Sequence, residues 1–322
     1  MTSTDAWLVT SAGAPPVRQR IRIPAPTGSE VLLRVAATGL NFADLLMIRG
    51  EYQETPPPPF VPGMEIAGVV QEVGEDVTGF RPGDRVMCAP VIGGLAGHAL
   101  VEASLLRPIP DQMDDATAAG FQIAYGTSHM ALTRRADLQA GETLAVLGAA
   151  GGVGLTAVEI SHQIGARVIA VARGTDKLAV AKAAGADVLI DSRETDLLQA
   201  LRDHGPIDVV YDAVGGEAGN AALRALGPEG RFLVIGFASG EMPRIRPNHL
   251  LVKNQSVIGF YWGGYTKFHP QALTESLVQL VEWHASGRIR PHISHVLPFD
   301  RALDGLELLR SRKSTGKVVI TQ

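Results

Sequence analysis

Seven residues between a β-type run and a helical run carry the clearest chemistry in this chain: Gly148-Ala149-Ala150-Gly151-Gly152-Val153-Gly154. The run before them, Thr143–Leu147, is rich in strand formers. After the turn, Val153, Ala157, Ile160 and Ile164 recur on one helical face until Gly165, which can close the helix. A second β-type run, Arg167–Ala172, follows. Strand, glycine turn, helix and strand in that order form the context in which a glycine fingerprint binds a dinucleotide. The glycines let the backbone approach a pyrophosphate, and the N–H groups and positive end of the helix meet its charge. The spacing is GxxGxxG with an extra Gly152, so the context carries this reading against the alternative of a tight turn in a helical hairpin.

The residues after the second strand select among dinucleotides. An NAD site usually places Asp or Glu there, roughly 20 residues beyond the glycines, on the ribose 2′-hydroxyl. Here the strand ends in Ala172 and continues Arg173-Gly174-Thr175-Asp176-Lys177. Thr175 is the expected N-cap of the next helix, with Asp176 in its first turn. Arg173 and Lys177 then surround the positive end of that helix, where the macrodipole disfavours cations. A bound anion removes the conflict, and the 2′-phosphate of NADPH is such an anion. The alternative is a pair of solvated surface cations. The expected cofactor is NADPH.

The elements that must position these groups fall into two textures. Before residue 118 the chain offers short β-like segments, Glu30–Ala37, Glu65–Val73, Asp84–Met87 and His98–Val101, separated by glycines. One short helix is expected there, Asn41–Arg49, ended by Gly50. The prolines Pro56–Pro59 run into Phe60 and read as a stiff internal loop rather than a polyproline ligand. From about 118 to 260, strands alternate with helices: Thr143–Leu147, Arg167–Ala172, Val188–Asp191, Ile207–Asp212, Arg231–Gly236 and Ser256–Phe260. That order predicts an α/β fold with a doubly wound parallel sheet and ligands at the carboxyl ends of its strands. Helices over Leu273–Ser286 and Arg301–Ser311 and a closing strand, Lys317–Thr321, complete the chain. The closing strand is expected to return to the β-rich part.

Composition narrows the class. With 46% hydrophobic and 19% charged residues and a net charge of −4, the chain reads as globular, with nothing that favours nucleic acid as a partner. The single cysteine, Cys88, allows no internal disulfide and fits a reducing compartment. No apolar stretch is long enough for a membrane span, the N-terminus lacks signal-peptide character, and a cytoplasmic location is the expectation.

Four further motifs join the glycine turn: Gly39-Leu40-Asn41-Phe42-Ala43-Asp44, Pro62-Gly63-Met64-Glu65, Gly83-Asp84-Arg85-Val86 and Tyr211-Asp212-Ala213-Val214-Gly215. With Gly50-Glu51-Tyr52 and the final Gly316-Lys317, they make the chain resemble the zinc-independent quinone oxidoreductases of the medium-chain dehydrogenase/reductase superfamily over essentially its whole length. The resemblance implies a β-rich GroES-like catalytic domain, residues 1–118 and 262–322, and a Rossmann domain, residues 119–261. In the zinc alcohol dehydrogenases that share this layout, the positions matching Asn41 and Met64 are cysteine and histidine, and a second cysteine falls near Ala119. All three ligands are lost here. Of the remaining histidines, His292 and His295 stand three apart in a stretch better read as extended than helical, which points them to opposite faces, and the others are isolated, so no metal is expected.

That loss bears on the chemistry. An unactivated ketone calls for a Lewis acid to hold the developing alkoxide, whereas a quinone or an α,β-unsaturated carbonyl delocalises the charge itself. The resemblance places Asn41 and Tyr52 as hydrogen-bonding groups near the hydride acceptor, with Asn41, Phe42, Asp44 and Leu46 along the nicotinamide. It places Thr127 near the nicotinamide end and Gly151, Gly152 and Val153 at the pyrophosphate. Arg173, Lys177 and the region of Ser192 fall at the 2′-phosphate. Val214, Gly236, Phe237 and Ser239 fall along the cofactor track, Phe260 and Trp262 on the carboxamide side, and Lys317 among the cofactor contacts. Other roles stand beside these: Asn41 as a helix cap, Asp44 in that helix's first turn, Tyr52 in the core. Leu46 replaces a tyrosine of several quinone reductases, which makes the pocket more apolar. Ser192 replaces a tyrosine near the 2′-phosphate, where Arg193 can compensate.

Phe260, Tyr261, Trp262, Tyr265 and Phe268 crowd the stretch 260–268, as a wall for a flat acceptor or as packing against a partner. A homodimer through the last Rossmann strand is expected, since an uncovered apolar edge is a liability. The expected substrate is a small quinone or enone. Two alternatives stay open. One is a double-bond reductase of enoyl-CoA, acryloyl-CoA or alkenals, for which Arg244 and Arg246 are the nearby cationic pair. The other is a crystallin-like protein that binds NADPH without turnover.

Overall fold

The computed structural model describes residues 1–193 and 196–322. The strands, in chain order, are β1 Thr2–Leu8, β2 Val17–Ile23, β3 Glu30–Leu40, β4 Ile66–Val73, β5 Arg85–Cys88, β6 His98–Glu102, β7 Arg107–Pro108, β8 Thr143–Leu147, β9 Arg167–Ala172, β10 Val188–Asp191, β11 Ile207–Asp212, β12 Leu226–Val234, β13 Ser256–Gly259, β14 Ile293–Pro298 and β15 Lys317–Thr321. The chain divides into two compact units, residues 1–123 with 291–322, and residues 124–290.

The first unit is mostly antiparallel. β1 and β2 pair with each other, and a seven-stranded sheet runs β14-β15-β3-β4-β5-β7 with β6 also on β3. β3 is the spine of this sheet, hydrogen-bonded to β4, β6 and β15 along its length. It is long and nearly all apolar because both of its faces are covered: Val31, Leu33 and Val35 lie in one core cluster, and Leu40 lies in another with Met47, Phe60, Leu95 and Val318. β15 returns antiparallel to β3, as expected for the closing strand.

In the second unit, a six-stranded sheet has the order β10-β9-β8-β11-β12-β13, every pairing parallel. β8, β9 and β11 are almost continuously buried, the mark of parallel strands covered on both faces by helices. The helix Gly152–Ile164 follows β8 and ends at Gly165 in the left-handed conformation, as the glycine predicts. Winding proceeds outward from β8 to β10 and then reverses to β11, so β8 and β11 flank the switch point where ligands of such sheets bind.

Two expectations need correction, the start of β12 and the cap of the helix after β9. The helix Pro270–Ala285 belongs to the second unit. Its Ser276 hydroxyl lies 2.8 Å from His129 Nδ1, Trp283 meets the His129 ring edge-on, and Leu273, Leu277 and Leu280 are buried. β12 starts at Leu226, five residues earlier than expected; the pairing with β11 jumps a register across Gly227-Pro228-Glu229-Gly230, which reads as a turn in sequence. The helix Thr175–Ala183 is preceded at its N-cap by Gly174, not Thr175, since Gly174 takes a φ of +84° that threonine resists. Among the described residues, no helix is long and apolar enough to cross a membrane.

Candidate functional site

In the second unit, the glycine turn is tied to the sheet by Gly148 and Ala149, whose N–H groups both donate to the Val171 carbonyl, at 3.0 and 3.1 Å. Gly151 N–H closes the turn onto Gly148 O at 2.9 Å. The helix Gly152–Ile164 then presses so closely that a Cβ on Gly154 would lie 2.1 Å from Gly148 O. Gly151 is the N-cap and offers no side-chain acceptor. The first N–H groups of this helix therefore need an outside acceptor, and Gly152 and Val153, partly exposed, are placed where an anion could supply one.

Across the switch point, Val214 leans on the same turn: a Cβ on Gly148 would meet its Cγ2 at 3.0 Å. Asp212, at the end of β11, shapes this loop by accepting from Val214 and Gly215 N–H, each at 2.8 Å. Burial pushes the Asp212 carboxyl up, against the pull of those two donors. The Gly236 amide reaches Asp212 O at 3.2 Å, Ser239 N–H donates to Val214 O at 2.8 Å, and Phe237 is 41% exposed. Gly151, Gly152, Val153, Val214, Gly236, Phe237 and Ser239 thus gather at the carboxyl ends of β8, β11 and β12.

Two further residues of this unit meet on another helix. Trp262 lies against Gln122–His129, where a Cβ on Gly126 would stand 2.5 Å from its Nε1. Thr127 is the next residue of that helix and is buried. Trp262 Nε1 is buried and has no hydrogen-bond partner among the described residues, an indole donor left over by the fold. Phe260 stacks with Tyr265 at 5.6 Å, and Tyr265 with Phe268 at 4.6 Å, so Phe260 and Tyr265 form a buried cluster while Phe268 is exposed.

The end of β9 collects cations. Arg173 is exposed, and Lys177 is partly buried in the first turn of Thr175–Ala183. Arg193 folds over Gly174, its Nη2 2.9 Å from where a Cβ would be. Ser192 N–H donates to Ala172 O at 3.0 Å and brings this loop in. The sequence reading missed the role of Asp191. Its carboxylate accepts from Gly174 N–H and from the Arg193 guanidinium, each at 3.0 Å, and the Arg193 hydrogen bonds hold it down at about 2. Asp191 comes from the end of β10, so only the parallel pairing Asp191↔Ala172 brings it here.

In the first unit, the helix Phe42–Arg49 buries Asp44, Leu45, Met47 and Ile48 and leaves Phe42, Ala43 and Leu46 partly exposed on another face. Asn41 is its N-cap residue. Asp44, fully buried, accepts from Asn41 N–H at 2.8 Å and from Gly63 N–H at 3.0 Å, so its carboxylate joins two loops. Burial pushes that carboxyl up to about 6, with the two amides and Lys317 opposing. Tyr52 is partly buried in the turn beyond Gly50, packed against the core that holds Leu45 and Ile48.

The Asn41 side chain enters a buried ionic cluster. Lys317 Nζ donates to Asn41 Oδ1 at 2.7 Å and to Glu65 Oε2 at 2.9 Å. Glu65, with no exposed surface, also accepts from Ile123 N–H at 3.0 Å and from Asn41 Nδ2 at 3.3 Å. The sheet makes this cluster. Val318 pairs with Leu40, which sets Lys317 opposite Asn41, and Gly39 N–H donates to Glu65 O at 3.0 Å. Zinc does not fit here. The three ligand positions hold an amide, the buried Met64 thioether and Ala119, and an ammonium already neutralises the carboxylate between them. Among the described residues there is no group of three or more His, Cys, Asp or Glu able to hold a metal.

Comparison with known proteins agrees with this architecture. Residues 27–111 match the alcohol dehydrogenase GroES-like domain, and residues 152–283 match the zinc-binding dehydrogenase family. The quinone oxidoreductase-like protein 2 homolog of Nematostella vectensis is 40% identical over 299 residues, 91% of this chain and 81% of that protein. The structure of the quinone oxidoreductase of Thermus thermophilus, solved also in complex with NADPH, superposes with a TM-score of 0.84 at 32% identity, covering 99% of this chain and 100% of that one. A mycobacterial protein complexed with NADPH gives a TM-score of 0.93 at 29% identity, with the same coverage. A β-rich GroES-like unit, a doubly wound nucleotide-binding unit and relatives of this closeness lead to one conclusion: the chain belongs to the quinone oxidoreductase-like proteins of the medium-chain dehydrogenase/reductase superfamily.

Proposed function

We propose that this chain is an NADPH-dependent reductase of quinones and related conjugated carbonyls that works without zinc. The observation that carries the reading is the cationic corner at the end of β9. Arg173, Lys177 and Arg193 stand around a helix N-terminus, beside a glycine turn whose own helix has no side-chain cap. The NADPH complexes of the Thermus and mycobacterial proteins support the cofactor. NADPH supplies the hydride. The first N–H groups of Gly152–Ile164 would hold its pyrophosphate and the cations its 2′-phosphate.

With no Lewis acid fitted by the donor set, rate comes mainly from holding the reactants in a near-attack geometry. Asn41, with Tyr52 beside the same core, donates to the oxygen that gains charge. Asn41→Ala and Tyr52→Phe should each lower turnover about 10- to 100-fold, the loss of one charge-directed hydrogen bond. Enones should suffer more than quinones, which are already strong acceptors. Loss of all turnover in Tyr52→Phe, with NADPH still bound normally, would make Tyr52 an obligatory proton donor and defeat an approximation-driven mechanism.

Cofactor preference gives a second test. NADPH should bind more tightly than NADH by roughly 1–3 kcal/mol if two charge-assisted contacts form, and Arg173→Ala should erase most of that difference in a fluorescence titration. Equal affinity in the wild type would remove the 2′-phosphate assignment.

The acceptor class is tested by NADPH oxidation against 1,4-benzoquinone, 9,10-phenanthrenequinone, 2-alkenals and acryloyl-CoA. Preference for the quinones is the expected result; acryloyl-CoA as the best substrate would favour a thioester reductase. A homodimer is part of the same reading. β13 is the edge of its sheet, and Leu251 and Val252 on the preceding helix are 77% and 72% exposed, an apolar margin that pairing across a twofold axis would cover.

A further inference from the structure

We propose that Lys317 is a positioning residue that acts through Asn41. Its ammonium holds the amide oxygen, which fixes the edge of Asn41 that carries the N–H donors, and it strengthens that N–H as a donor to the substrate oxygen. The inference rests on the reductase reading and goes beyond it, since it concerns a lysine whose donors turn inward and not toward a cofactor phosphate. Three observations carry it.

The first is chemical direction. An ammonium only donates, so the Asn41 atom 2.7 Å from Lys317 Nζ must be the carbonyl oxygen. The NH2 group then donates to Gly39 O and to Glu65 Oε2, at 3.2 and 3.3 Å. Both bonds are long, so a substrate oxygen can compete with them for a proton. Asn41 is also partly exposed while Lys317 and Glu65 are buried.

The second is a built seat for the lysine. A Cβ on Gly120 would stand 3.3 Å from both Cβ and Cγ of Lys317, and one on Gly316 would strike His292 O at 2.2 Å. Gly120 leaves room for the stem, and Gly316 lets the backbone just before the lysine approach His292. The third is charge compensation. Glu65 receives the ammonium, Ile123 N–H and the Asn41 amide, so the positive charge stays in a fully buried site without net charge. A cation at an amide oxygen draws density from the nitrogen and makes its N–H a better donor, as charge-assisted bonds polarise their neighbours. Positive charge is thus conveyed through an amide in the unit where zinc relatives place a metal.

The test compares wild type, Lys317→Arg and the double variant Lys317→Met/Glu65→Gln, which keeps the buried site neutral so that it folds, each with and without Asn41→Ala. In the double variant, kcat for a 2-alkenal should fall about 10-fold while the dissociation constant for NADPH stays within about twofold. Lys317→Arg should retain most of the rate. In the Asn41→Ala background the double variant should cost nothing further, because its effect passes through that side chain. The Asn41 side-chain amide resonance, assigned by its disappearance in Asn41→Ala, should move in the double variant and hold in Lys317→Arg. An unmoved resonance, full additivity with Asn41→Ala, or a large rise in the NADPH dissociation constant would each overturn the proposal. The amide resonance needs no turnover, so it decides the positioning role even if wild-type protein reduces none of the acceptors and the reductase reading fails.

Discussion

Gly154→Ala should lower affinity for NADPH about 100-fold or more, the equivalent of one or two lost charge-assisted hydrogen bonds. The new Cβ would lie 2.1 Å from Gly148 O and 2.8 Å from Gly148 C, both backbone atoms held by the β9 contacts of the turn. Neither can swing aside as a side chain could. The helix Gly152–Ile164 must retreat, and the N–H groups of Gly152 and Val153 retreat with it. Overpacking of this kind costs about 1–3 kcal/mol of stability, so the protein should still fold with a lowered melting temperature. A fluorescence titration checks the first effect and thermal unfolding the second. Unchanged affinity would mean that this turn does not hold the pyrophosphate.

Lys317→Met alone should cost about 3–5 kcal/mol of stability, because it leaves the Glu65 carboxylate buried without its cation. Glu65 has no exposed surface, and its remaining donors are one backbone amide and a long bond from Asn41. Adding Glu65→Gln should recover much of the loss, since a neutral amide needs no counter-charge. Denaturant unfolding of the single and double variants measures both. A single variant as stable as wild type would show that water reaches the cluster and that the pair is not a buried one.

How much of this was legible in sequence follows from how local each feature is. β8, β9, β10, β11 and β15 have the bounds read from the residues; all but the edge strand β10 are nearly unbroken buried apolar runs between turns. β2, Val-Arg-Gln-Arg-Ile-Arg-Ile, went unseen because six of its residues face water wholly or in part and its pattern is polar. β14 shows in sequence only as an extended stretch around His292 and His295, with no fully buried residue among its six to mark it as a strand. The helix Gln122–His129, continued by the wide turn Met130–Arg135, carries few start or stop signals and was read only as the place of Thr127.

The site divides along the same line. The glycine turn was readable because strand, turn and helix are consecutive. The cations Arg173 and Lys177 were readable from their place before and inside a helix. Asp191 as a brace for Gly174 and Arg193 was not, because it depends on the pairing of β10 with β9. The cluster of Asn41, Glu65 and Lys317 was less visible still: its members lie in separate motifs, and only the register of β15 on β3 and β3 on β4 brings them within hydrogen-bonding distance.

The central claim is hydride transfer from NADPH to a conjugated carbonyl by protein groups alone. Steady-state oxidation of NADPH with 9,10-phenanthrenequinone, before and after exhaustive chelation and with NADH run in parallel, tests it most directly. The expected result is sustained turnover that favours NADPH and is unchanged by the chelator. Absence of turnover with NADPH bound, or a rate lost to the chelator and restored by zinc, would contradict it.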